Sequence, residues 1–260
     1  GRRRAIRSIV LFLLSSFLPV RSAFPSVSPT DATMVERLGN PLPLEESFRD
    51  SSGRSVTVRD LLRGRPTILS LAYYRCPNLC TLVFNGLVDA FSSMKKRPGR
   101  DFNVVSLSID PRETPELARM KKRTYLFRLG ISDDDSPVWR FLVGKEKSIR
   151  SVADSIGFRY AWDPVSRQYA HPAGVVVITP AGKVDRYFPG IRFDPIALDR
   201  AISEAGKRPP TRSTLGDFFM TCFHYDPSAS GRSALVLEGI RIFGAVSVVG
   251  IATSDSRESI

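Results

Sequence analysis

Tyr73-Tyr74-Arg75-Cys76-Pro77-Asn78-Leu79-Cys80 lies between an apolar run at residues 67–71 and a second at residues 82–91. The first run reads as a buried strand and the second as a helix, so the unit is strand, Cys-x-x-x-Cys, helix. It contains two of the chain's three cysteines. Pro77 in the first turn of such a helix loses no hydrogen bond, and its fixed φ suits the start. Both thiols then sit at the positive end of the helix dipole, where thiolate is favoured over thiol. At i and i+4, Cys76 and Cys80 share one helix face, and their sulfurs point at one spot. That spot is either a disulfide, at the long end of the usual Cα range, or half of a metal site.

Outward from this unit, strands and helices alternate. Residues 55–62 are expected to form a short helix with Ser55 or Thr57 as its cap and Gly64 as its stop. Residues 102–109 read as a strand covered on both faces. Thr114-Pro115-Glu116 opens a helix to about residue 129 with a hydroxyl cap, proline at the first position and an acid in the first turn. A strand is expected at 138–143 and a helix at 144–156. Residues 174–179 and 183–188 flank Pro180-Ala181-Gly182 as a β-hairpin. A last helix is expected at 194–205. The pattern predicts an α/β domain with a central mixed sheet.

The ends differ from the middle. Residues 1–22 have an Arg-rich start, an apolar run from Ile9 to Val20 and a small-residue exit, the pattern of a signal peptide or an N-terminal anchor. Residues 23–43, rich in Pro, Ser and Thr, are expected as an extended linker. The domain is expected over 44–206, followed by a linker and Cys/His-containing extension at 207–233. Residues 234–252 are a candidate C-terminal membrane helix, apolar except for Glu238 and Arg241, and 253–260 a polar tail.

The formal charge is +12, but five arginines lie in the first 22 residues, which leaves +7 for the rest. The remaining basic clusters are short and carry no interleaved aromatic residues, so no nucleic acid is expected as a partner. Three cysteines are too few for a disulfide scaffold; a close pair plus a single suggests redox or metal chemistry. Two buried, inert thiols are the plainer alternative.

His171 and His224 are the only histidines. Two thiolates and one imidazole make a three-donor set suited to copper, since thiolate is soft enough for Cu(I) and imidazole accommodates both oxidation states. Zinc ordinarily takes a fourth ligand, and no further cluster supplies one. His171 precedes the strand at 174–179 on a loop entering the sheet, where a surface or hydrogen-bonded histidine is the ordinary reading. Cys222-Phe223-His224 is a candidate second soft-metal site.

Cys76-Pro77-Asn78-Leu79-Cys80, Ser108-Ile109-Asp110-Pro111-Arg112-Glu113-Thr114-Pro115-Glu116, and His171 ahead of an apolar strand and Pro180-Ala181-Gly182-Lys183 resemble, in this order, the Sco/SenC family. The resemblance covers roughly residues 40–206. It implies a thioredoxin-like fold with a β-hairpin after the His loop, and one copper ion, Cu(I) or Cu(II), held by Cys76, Cys80 and His171. It also implies a metallochaperone that delivers copper to, or reduces the cysteines of, the Cu(A) site of cytochrome c oxidase. The implied partner is the apo oxidase subunit or another periplasmic copper or thiol protein, met in the periplasm at the membrane.

Two features depart from the family. Ala170-His171-Pro172 stands where members often carry Asp-His-Ser, which removes a carboxylate beside the imidazole. Arg75 adds a charge that favours thiolate and opposes a bound cation. Asp110 is expected to be structural. The competing expectation is a thiol-disulfide oxidoreductase in which Cys76 attacks and Cys80 resolves; thiol peroxidase chemistry would need an activating group that the sequence does not display.

Overall fold

Thr67-Ile68-Leu69-Ser70-Leu71-Ala72 and Asn103-Val104-Val105-Ser106-Leu107-Ser108 are buried at every position, as strands covered on both faces must be. In the computed structural model, which describes residues 32–76, 79–132 and 137–209, they are β3 and β4. The elements in chain order are β1 (Ser47–Asp50), β2 (Ser55–Thr57), α1 (Val58–Leu62), β3 (Thr67–Ala72), α2 (Leu79–Ser93), β4 (Asn103–Ser108) and α3 (Pro115–Arg128). There follow β5 (Arg140–Val143), α4 (Glu146–Ser155), β6 (Ala161–Asp163), β7 (Gln168–Ala170), β8 (Gly174–Ile178), β9 (Val184–Pro189) and α5 (Pro195–Glu204).

Seven strands form one mixed sheet in the order β2-β1-β5-β4-β3-β8-β9, and β6 pairs with β7 outside it. β3 runs parallel to β4, from Thr67 opposite Asn103 to Ala72 opposite Ser108. β8 runs antiparallel to β3, with Leu69 opposite Val176. The polarity matters for the site. The C-terminal ends of β3 and β4 and the N-terminal end of β8 reach the same edge, which brings together the Cys loop, the turn after Ser108 and the approach to β8 that carries His171.

The core is dense in aromatic rings. Phe84 of α2 meets Tyr125 of α3 at 5.1 Å and Phe141 of β5 at 5.6 Å, in edge-on contacts of the kind the ring quadrupole favours. Trp139 is fully buried and its indole N–H donates to Ser106 Oγ at 2.8 Å. Ser106 Oγ also lies 2.7 Å from Ser70 Oγ, so the hydroxyls inside the sheet satisfy one another.

The expected mixed sheet, hairpin and flanking helices are present. Residues 55–62 are not one helix: Ser55–Thr57 pair with β1, and the helix starts at Val58. Thr57 is the cap, and its side chain and Asp60's form a reciprocal capping box. A strand that ends on its own helix cap hides its three residues in the helical pattern. The 138–143 strand begins two residues later at Arg140, and the 144–156 helix at Glu146. Residues 32–43, expected in an extended linker, lie against the domain and turn at Leu38-Gly39. Ala32 and Leu42 are buried, Val35 N–H donates to Gly157 O, and Leu42 N–H donates to Gly182 O. The backbone groups of this polar stretch find partners on the domain surface.

The N-terminal run, the extension with Cys222 and His224, and the candidate helix at 234–252 lie outside the described residues. Among the described residues no helix is long and apolar enough to cross a membrane.

Candidate metal centre

β3 delivers the chain into Tyr73-Tyr74-Arg75-Cys76, where Cys76 N–H donates to Tyr73 O at 3.2 Å and turns the backbone. The helix α2 begins at Leu79, so Cys80 stands in its first turn while Cys76 lies on the loop before it. The two cysteines therefore do not share a helix face, as the i, i+4 spacing suggested. Cys80 has the dipole of the helix N-terminus beside it. Pro77 and Asn78 lie outside the described residues.

His171 arrives from the loop between β7 and β8, 91 residues from Cys80, and its Nε2 stands 3.2 Å from Cys80 Sγ. The sulfurs of Cys76 and Cys80 and the imidazole nitrogen all lie within 4.8 Å of one another. All three residues are buried, and the cysteines are not joined by a disulfide. Among the described residues, these three are the only group of His, Cys, Asp or Glu that converges closely enough to hold a metal ion.

The imidazole is oriented on three sides. Its Nδ1 lies 2.9 Å from Pro172 O. A carbonyl only accepts, so the proton is assigned to Nδ1, and Nε2 presents its lone pair to the sulfurs. Phe158 stacks on the ring at 6.1 Å, and Tyr73 meets it edge-on at 5.8 Å. A backbone oxygen one residue on is thus the acceptor that orients the ring.

The Cys loop is held from below by a carboxylate that sequence reasoning assigned no role. Glu113 Oε2 accepts from Tyr74 N–H at 2.8 Å and from Ser108 O–H at 2.6 Å, and Oε1 accepts from Arg75 N–H at 2.8 Å. Burial pushes its carboxyl pKa up, against the lowering effect of those hydrogen bonds. Tyr74 supplies a second tether: its hydroxyl lies 2.7 Å from Leu142 O and accepts from Leu142 N–H at 2.9 Å. Complete burial raises the phenol's pKa well above 10, so this tether stays neutral. Only the position of Glu113 immediately before the Thr114 cap hinted at either contact.

Asp110 does not cap the following helix, whose cap is Thr114, but grips Arg112. Its Oδ1 accepts from Arg112 N–H at 2.9 Å and Arg112 Nε–H at 2.8 Å, and Oδ2 accepts from Nη2–H at 2.9 Å. Arg75 is exposed. Two soft sulfur donors and one borderline imidazole, with no fourth protein donor among the described residues, fit a soft ion of low coordination number better than zinc.

The model of the SCO1/SenC family matches residues 41–205. No curated protein matches the chain. Among solved structures, a protein from Aquifex aeolicus VF5 is 26% identical, with 64% of this chain and 92% of that one covered and a TM-score of 0.57. Arabidopsis thaliana ScoI with copper bound is 22% identical over 65% of this chain and 97% of its own, with a TM-score of 0.51. BsSco, a member of the Sco family of cytochrome c oxidase assembly proteins, is 19% identical over 65% and 96%, with a TM-score of 0.50. The last two bear on the fold alone. The match over 41–205 spans the Cys loop, the Asp110–Glu113 turn and the His171 approach, and the chain belongs to the SCO1/SenC family.

Proposed function

We propose that this chain is a copper-binding assembly factor. It carries one copper ion on Cys76 Sγ, Cys80 Sγ and His171 Nε2 and delivers it to, or prepares, the Cu(A) site of cytochrome c oxidase. The convergence of these three donors within 4.8 Å carries the reading. Copper is cargo here, and handover is ligand exchange: an incoming thiolate or imidazole on the target replaces one donor at a time. Two thiolates match Cu(I), and the imidazole lets the set accept Cu(II) as well.

The test is copper titration followed by absorption and EPR. Wild type is expected to bind one equivalent with a thiolate-to-copper charge-transfer band. Cys76→Ser or Cys80→Ser is expected to abolish the band, and His171→Ala to shift it and weaken binding. No band with reduced thiols, or one indifferent to His171→Ala, defeats the proposal.

The 3.2 Å contact between Cys80 Sγ and His171 Nε2 also favours a second reading, thiol-disulfide exchange. The imidazole accepts the Cys80 proton. Cys76 thiolate attacks a partner disulfide, expelling one partner thiolate. Cys80 thiolate then attacks Cys76 sulfur, and the partner leaves as a dithiol while this chain keeps the disulfide. Reduction of an insulin disulfide by the metal-free chain that is lost in Cys76→Ser and slowed in His171→Ala would favour it over copper transport.

Export to the periplasm and membrane association complete the proposal. They rest on the Arg-rich start and the apolar run from Ile9 to Val20. Fractionation of the full chain tests both: recovery in the cytosolic fraction refutes export.

A further inference from the structure

We propose that Arg112 is a positioning residue, the latch that holds the His171 arm of the site closed over the two cysteines. The proposal rests on the three-donor reading above and concerns what sets the third donor in place. His171 follows directly on β7, so its position depends on the small β6–β7 hairpin, which lies outside the main sheet. Three residue pairs join its strands, among them Trp162 opposite Tyr169.

Arg112 lies across this hairpin. Its guanidinium carbon sits 4.4 Å from the centre of the Trp162 ring and 5.9 Å from that of Tyr169, while Asp110 grips the other side of the guanidinium through both carboxylate oxygens. Tyr169 in turn meets Tyr73 at 5.6 Å, and Tyr73 meets His171. The neighbouring residue, Glu113, holds the opposite arm through the amides of Tyr74 and Arg75. One four-residue turn after β4 therefore fastens both halves of the ligand set.

The two fastenings differ in kind. Glu113 is buried and charge-assisted, whereas the Arg112 side chain is 58% exposed and Trp162 is 37% exposed. A cation over a ring in water is a weak contact. The cysteine arm is thus held by buried hydrogen bonds, and the histidine arm by this exposed contact together with the Tyr73 hydroxyl on Gln168 and the ring pairs of Tyr169 with Tyr73 and Tyr160. Opening the hairpin lifts the imidazole from copper while both thiolates keep their places, which makes His171 the first donor exchanged for one on the target.

Hydrogen exchange on the metal-free full chain tests the latch without copper. In Arg112→Gln and in Trp162→Leu, amides of residues 161–170 are expected to exchange about three- to fivefold faster, the scale of a cation–π contact at an exposed site. The amides of Tyr74 and Arg75 are expected to be unchanged. The double variant is expected to be no faster than either single one, and Arg112→Lys to recover part of the protection. Loss of copper to a chelator is expected to accelerate by a similar factor in the single variants, with the thiolate charge-transfer band retained. Unchanged exchange at 161–170, additive effects in the double variant, or acceleration spreading equally to Tyr74 and Arg75 overturns the latch. A wild type that binds no copper defeats the copper reading, and the exchange measurement still decides the latch.

Discussion

Glu113→Gln changes one atom of the support beneath the Cys loop. The carboxylate accepts three hydrogen bonds, two on Oε2 and one on Oε1. The amide keeps a single acceptor oxygen. In its better orientation that oxygen faces Tyr74 N–H and Ser108 O–H, and its NH2 confronts Arg75 N–H, donor against donor. A donor left unsatisfied costs about 1–3 kcal/mol, and the two remaining bonds weaken from charge-assisted to neutral. Against this, the amide escapes the desolvation that raises the pKa of Glu113. The net expectation is a loss of about 1–3 kcal/mol. For a domain of this size each kcal/mol lowers Tm by about 2–4 °C, so thermal unfolding at pH 7 should show a fall of about 2–12 °C. Copper affinity, measured by competition with a chelator, should fall about tenfold, a share of about 1.4 kcal/mol spent in reordering the loop. A variant within about 1 °C of wild type whose affinity changes less than about twofold would refute the view that this carboxylate holds the loop.

Gly86 of α2 has no room for a side chain: an added Cβ would lie 2.0 Å from Ile191 O. Gly86→Ala should therefore destabilise by about 2 kcal/mol or more in urea unfolding despite alanine's better helix propensity, because the obstacle is backbone. Trp139→Phe should cost about 2–4 kcal/mol through the lost indole hydrogen bond and the void left in the aromatic cluster. Its copper absorption band should match wild type, since Trp139 does not touch the site. Asp50→Asn carries a pH signature. Burial pushes the Asp50 carboxyl up, but hydrogen bonds from Ser52 and Arg54 outweigh it and hold the pKa below 3.8. A lowered folded-state pKa adds stability that is present above the unfolded value and lost as pH falls through the folded one. Wild type should thus exceed the variant by about 1–2 kcal/mol at pH 7, and the difference should close on acidification below 3.8 in unfolding curves.

The elements legible in the sequence were those whose local chemistry and tertiary role agree. Residues 67–72 are apolar because both sheet faces are covered, and Thr114-Pro115-Glu116 starts α3 with three concordant signals. What escaped depends on distant partners. β2 is a strand only because β1 pairs with it. The β6–β7 hairpin has three-residue strands and places Arg167 rather than glycine at positive φ, so the usual turn signal is missing. Asp163 organises that turn by accepting from Val165 N–H and Ser166 N–H. The convergence of Cys76, Cys80 and His171 was legible because the chain offers so few cysteines and histidines. The role of Glu113 was not, since a carboxylate before a helix cap is ordinarily a solvated residue near the helix dipole.

The neutral acceptor beside His171 Nδ1 bears on how the proposed copper site would release its ion. A carboxylate hydrogen-bonded to Nδ1–H would orient the ring and also strengthen Nε2 as a donor, because it stabilises positive charge on the imidazole. Pro172 O, 2.9 Å from Nδ1, orients the ring but is neutral, and so strengthens the donor less. On the cysteine side, Cys80 lies in the first turn of α2 and Glu113 holds the Tyr74 and Arg75 amides of the loop before Cys76. The imidazole, whose Nδ1 partner is neutral, is also the donor carried on the hairpin that the exposed Arg112 contact helps to hold. On the proposed copper reading, exchange is expected to begin at His171, with the two sulfurs released later.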